Sequence, residues 1–156
     1  MIGISACLKG EITTYKGSHN FVEDVKKINP DYLIAVCPEV SGGLSIPRPP
    51  AEIVSKDPLK LINNQGEDVT FEYIEGSKKC LKMFIDNNVK VALLKKNSPS
   101  CGNDGIYDGT FSHQLVDGLG VFAYMCEHAG IKVFNEKQIV EFFDYLKNNE
   151  IQYTFD

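Results

Sequence analysis

Nowhere does this sequence hold a run of about 20 apolar residues, the length a helix needs to cross a bilayer, so no membrane span is predicted. It also lacks an excess of positive charge. The formal net charge of −5 gives no general pull on nucleic acid and argues against a non-specific nucleic-acid binder. A small nucleobase-like ligand stays compatible with it. Neither GxGxxG nor GxxxxGKS occurs, so no phosphate cradle is indicated. None of the three histidines, His19, His113 and His128, stands at a spacing to a cysteine that supports a Cys–His hydrolase. Repeats, low-complexity tracts and dividing linkers are absent too. With 156 residues and 43% hydrophobic content, one domain over 1–156 with a proper core is expected. The apolar start, Met1-Ile2-Gly3-Ile4-Ser5-Ala6, carries no charged leader and reads as a first strand, not a signal peptide. A cytoplasmic location follows as the expectation, and there the five cysteines stay reduced.

What is present alternates between two patterns. Ile2 to Ala6, Tyr32 to Val36, Lys90 to Leu94 and Ile131 to Phe134 are short, apolar and rich in Ile, Val and Leu, as buried parallel strands are. A last short strand is expected at Ile151 to Phe155. Between them, helical patterns run over Phe21 to Lys27, Thr70 to Asn87, about Val116 to Ala129, and from Asn135 onward. The second places Phe71, Ile74, Leu81, Phe84 and Ile85 on one face. The last opens on a capping box, Asn135 with Gln138, and is expected to bury Ile139, Val140, Phe142, Phe143 and Leu146. This alternation predicts an α/β fold: a Rossmann-like parallel sheet with helices on both faces and its site at the carboxyl ends of the strands. The segment Pro38 to Gln65 breaks the rhythm with Gly42-Gly43, Pro47-Arg48-Pro49-Pro50 and Pro58. Connections of that length are usually functional, and an extended pair at Glu52 to Ser55 and Lys60 to Asn63 is expected to stiffen it.

Three cysteines fall where such a sheet places its ligands. Cys7 and Cys37 follow their strands at once, and Cys101 comes seven residues after Leu94 in the loop Lys95 to Gly109. Cys80 and Cys126 sit on apolar helical faces and read as small buried hydrophobes. Three thiolates in one cleft repel unless a soft cation balances them. Zinc, copper(I) and an iron–sulfur cluster all remain open at this point, and three ligands leave one position free.

Other polar groups map to the same edge. Glu39, two residues past Cys37, is a plausible proton carrier. Ser98 and Ser100 bracket Pro99 before Cys101 and could bond a ligand, a sulfur or their own loop. Arg48 could meet an anion or a carboxylate such as Glu39 or Glu52. Gly42 and Gly43 could admit a ligand close to the backbone or simply turn the chain. Asp68 or Thr70 reads as the N-cap of the long helix.

The pieces Ser5-Ala6-Cys7-Leu8-Lys9-Gly10, Cys37-Pro38-Glu39-Val40-Ser41-Gly42-Gly43-Leu44, Pro47-Arg48-Pro49-Pro50-Ala51-Glu52, Gly66-Glu67-Asp68-Val69-Thr70, Leu94 to Gly102 and Tyr107-Asp108-Gly109-Thr110-Phe111 stand in this order. Together they make the chain resemble the thiouracil desulfidase family, a bacterial domain family formerly of unknown function. The resemblance implies a 4Fe–4S cluster held by Cys7, Cys37 and Cys101 with one open iron. It implies an enzyme that exchanges the thiocarbonyl sulfur of a thiolated pyrimidine for oxygen without net redox change. Glu39 would be the catalytic proton-handling group, with Ser100 and Ser98 beside substrate or cluster. Arg48, Gly42, Gly43 and Asp68 are the candidate substrate-binding residues. The acidic balance and the short chain favour a free base or nucleoside, with a thiouridine in tRNA as an open alternative. A non-catalytic iron–sulfur or zinc-binding module is the competing reading.

Overall fold

The computed structural model describes residues 1–156. In chain order the elements are β1 (Ile2–Ser5), β2 (Leu33–Val36), α1 (Pro38–Ser41), β3 (Ala51–Lys56), β4 (Leu59–Asn63), α2 (Thr70–Asp86), β5 (Val91–Leu94), β6 (Ile106–Tyr107), β7 (Leu115–Val116), α3 (Val121–His128), β8 (Lys132–Asn135) and α4 (Ile139–Asn148). The main sheet is parallel with strand order β2-β1-β5-β8. β3 and β4 form the expected antiparallel pair within the long connection, and β6 pairs with β7.

Both faces of the main sheet are apolar, as a parallel sheet covered on both sides requires. Strand alternation sorts β5 between them. Ala92 and Leu94 join Cys80, Phe84, Phe122 and Cys126 under α2 and α3. Val91 and Leu93 join Ile2, Ile4, Phe134, Phe142 and Leu146 under α4. The order reverses between β1 and β5, and such a switch point is where open α/β sheets bind ligands. No helix is long and apolar enough to cross a membrane.

Where local pattern and structure part, packing explains the difference. On α2 the buried stripe is Tyr73, Gly76, Ser77, Cys80 and Phe84, while Phe71 is 71% exposed and Ile85 also faces out. Small residues win that face because α1 crosses it backbone to backbone. A Cβ on Gly76 would lie 1.8 Å from Pro38 O, and one on Gly42 would lie 1.9 Å from Glu72 O. The expected capping box of Asn135 and Gln138 forms, but on the 3-10 turn Glu136–Gln138 that leads into α4, and on α4 itself Val140 is 67% exposed. Phe21 to Lys27 yields only a 3-10 turn over Glu23–Lys27, too short to sustain an α-helix. The helix expected from Val116 begins instead at Val121, beyond Gly118 and Gly120, and Val116 belongs to β7. Ile151 to Phe155 is not a strand; Tyr153 O accepts one bond, from Asn29 N at 2.7 Å.

The α1–α2 crossing gives a test whose sign runs against helix propensity, which favours Ala over Gly by about 1 kcal/mol. Gly76→Ala is expected to destabilise the fold by about 1–3 kcal/mol through overpacking, seen as a lower melting temperature. A rise would mean the two backbones are not in contact.

Candidate active site

The carboxyl ends of β1, β2 and β5 open into one cavity of about 490 Å³. Cys7 stands in the 3-10 turn that follows β1, Cys37 between β2 and α1, and Cys101 in the loop after β5. All three line this cavity, together with Glu39, Arg48, Ser98 and Ser100. Since β2, β1 and β5 are neighbours running the same way, three separate crossovers deliver their thiols to one edge. No three His, Cys, Asp or Glu side chains converge tightly enough to chelate a single ion. The thiols instead keep separate neighbours. Cys37 Sγ lies 3.9 Å from Thr13 O, and Ser100 Oγ lies 3.6 Å from Cys101 Sγ.

Glu39 is the hub of the polar groups. Its Oε2 accepts from Arg48 Nη2 at 2.7 Å, and its Oε1 accepts from Ser100 Oγ at 3.0 Å. Arg48 is only 4% exposed and Glu39 14%, so the pair is shielded. Arg48 also donates from Nη2 to Thr13 O at 2.7 Å and from Nη1 to Ser45 O at 3.1 Å. These bonds make Arg48 a strut for Glu39. Ser98 Oγ accepts the backbone N–H groups of Ser100 and Cys101 at 3.1 and 3.0 Å, the turn role open to it from the sequence. Because Ser100 donates to Glu39, the 2.9 Å contact between the two hydroxyls makes Ser98 the donor to Ser100.

Three candidate substrate-binding residues lie elsewhere. Gly42 and Gly43 do not line the cavity. Gly42 serves the close crossing with α2, and Gly43 takes φ 95 where the chain leaves α1. Asp68 is exposed and its Oδ1 accepts Thr70 N at 2.9 Å, but the N-cap of α2 is Val69, not the expected Asp68 or Thr70, so Asp68 makes an Asx-type turn just before the helix.

These placements can be set against known proteins. The model of a family described as 2-thiouracil desulfurase matches residues 2–138. The chain belongs to this family. The uncharacterized protein YbbK of Bacillus subtilis (strain 168) is 41% identical over 147 residues, covering 89% of this chain and 97% of that protein. The solved structure of the 4Fe-4S-dependent thiouracil desulfidase TudS matches with a TM-score of 0.87 at 35% identity, covering 94% of this chain and 97% of that one.

The electrostatics of this family member's site favour neutral thiols until a cation arrives. Burial, reinforced by the charge of Glu39, pushes the Cys37 thiol up to about 11. Burial holds Cys101 well above the ordinary thiol range. It also raises Cys7, opposed by a hydrogen bond to Asn20 and the attraction of Lys95. Thiolates are metal ligands, so a cation binding here must displace these protons.

Tyr73 was missed as a site residue because its position on α2 reads as core. Its ring is buried, yet it lines the cavity, and burial together with the adjacent Glu39 charge raises its hydroxyl well above the ordinary range. Glu52 likewise has no site role in the sequence reading beyond a possible partnership with Arg48. Its Oε1 holds Gly109 N at 3.0 Å and Phe111 N at 3.2 Å, fixing the mouth loop that carries Tyr107, Phe111 and His113. The advance signal for Glu52 was its place at the end of the piece Pro47-Arg48-Pro49-Pro50-Ala51-Glu52.

Arg48→Ala should cost about 3–5 kcal/mol, because it strands the Glu39 carboxylate in a shielded place. Urea unfolding of the metal-free protein measures this. Adding Glu39→Gln should recover part of the loss; equal stability of the single and double variants would contradict the strut role.

Proposed function

We propose that this protein is a 4Fe–4S-dependent desulfidase acting on a thiolated pyrimidine, a 2-thiouracil-like base or nucleoside. The reaction is C=S plus water giving C=O plus hydrogen sulfide, with no electrons transferred. The observation that carries this reading is the gathering of three thiols and a braced carboxylate on one cavity. Family membership and the likeness to TudS support it.

The donor set fits the cofactor. Three soft thiolates suit iron–sulfur chemistry, and a cluster so held keeps one iron open. Cys7, Cys37 and Cys101 would hold the cluster, which when bound would supply a thiophilic Lewis acid for the thiocarbonyl sulfur.

The chain's own residues then handle the base and the protons. The cavity is lined by Tyr15, Tyr107 and Phe111, flat rings suited to a planar base. Glu39 takes a proton from the attacking water, with Arg48 fixing its orientation. Ser98 donates to Ser100 and Ser100 to Glu39, so the two hydroxyls hold the carboxylate in place from the loop after β5.

Two variants test the assignment on anaerobically reconstituted protein. Cys101→Ser should lose most of its iron and acid-labile sulfide along with its activity on 2-thiouracil, followed by loss of thiocarbonyl absorbance. Glu39→Gln should keep the cluster yet lose about 10²–10⁴ in rate, the usual worth of a positioned acid–base group. Full cluster and full turnover in either variant would overturn the role given to that residue. A panel of thiolated bases, nucleosides and tRNA fixes the substrate class.

A further inference from the structure

Lys95 and Glu136 form a second ion pair at the carboxyl edge of the sheet, with Lys95 Nζ 3.0 Å from Glu136 Oε2. The ammonium also donates to Lys96 O at 2.9 Å, and Glu136 Oε1 accepts Lys96 N at 2.6 Å. Lys95 N in turn donates to Ser5 Oγ at 2.9 Å, which fixes the residue against the end of β1, two positions before Cys7. The side chains are 30% and 13% exposed, so neither is a free surface charge.

Of the pair, Lys95 lines the cavity and Glu136 does not. Other cations reach the same space but are differently disposed. Arg48 is bonded to Glu39, Lys16 is exposed, and the Lys96 ammonium has no hydrogen-bond or ion-pair partner fixing it. Lys95 is held at both its backbone and its ammonium.

A cluster bound by three thiolates carries net negative charge, because the thiolates outweigh the oxidised core, and reduction makes the sum more negative. We propose that Lys95, oriented by Glu136, is the charge-compensating residue of the cluster site. It stabilises negative charge on the Cys7 side of the cavity and acts through the field it sets up, not by touching substrate. This rests on the reading of Cys7, Cys37 and Cys101 as cluster ligands.

The reduction potential of the reconstituted cluster, titrated anaerobically and followed by electron paramagnetic resonance, is the readout. A nearby positive charge favours the reduced form, so Lys95→Met should shift the potential to more negative values and Lys95→Arg should leave it near that of the unaltered protein. Glu136→Gln keeps an oxygen for Lys96 N but removes the counter-charge, so it should shift the potential the other way. The Lys95→Met/Glu136→Gln double variant should return towards the starting value. Shifts of the same sign in both single variants would indicate a loosened loop and overturn the proposal, as would no shift in either. If Lys95→Met cannot be loaded, Lys95→Arg and Glu136→Gln decide: a positive shift confined to the latter supports the role, and its absence overturns it. Failure of the unaltered protein to take up iron and sulfide would instead sink the ligand assignment, a result read before any potential is measured.

Discussion

The bond between Arg48 and Glu39 joins more of the site than any other contact. Arg48 comes from the proline-framed connection, Glu39 from the turn after β2, Ser100 from the loop after β5, and Thr13 from the segment after β1. One shielded ion pair thus references three crossovers to each other. A buried pair of this kind contributes little net stability on its own, but either partner left alone is costly. That asymmetry makes the geometry all-or-none. It fixes the carboxylate relative to the three thiols, which no single loop could do.

Beneath the pair lies a simpler constraint. Parallel strands send all their carboxyl ends to one edge, so residues distant in sequence become neighbours without specific long-range attraction. Cys7, Cys37 and Cys101 meet for this reason. The same edge receives Lys95 from β5 and Glu136 from the turn after β8. The glycines at the α1–α2 crossing complete the frame, since α1 can seat Glu39 beside the cavity only where two backbones approach without side chains between them.

The sequence was most legible where one chemical requirement dominated. Strand positions were visible because buried parallel strands must be apolar throughout, and the capping box because its two residues answer each other locally. Cys7, Cys37, Cys101 and Glu39 could be named together because each follows a strand in the same topological sense. Reading failed where a residue served packing. Phe71 and Ile85 looked like the buried face of α2, but the crossing with α1 selected Gly76 and Ser77 instead. Gly42 suggested a ligand approach and turned out to serve another helix. Tyr73, on the same stripe, passed for core although its ring lines the cavity.

By itself the sequence determined the parallel α/β plan, the edge that carries the site and the residue types gathered there, because hydrophobic periodicity and topology act over short stretches. Only the tertiary structure decided how those residues are used. It gave Arg48 to Glu39, one of the partners open to it, made Ser98 a turn former that donates to Ser100, and placed Gly42, Gly43 and Asp68 off the cavity lining. The physical reason is that a donor's role depends on which acceptor reaches it first, and those acceptors lie on other crossovers. Chain order does not record their distances.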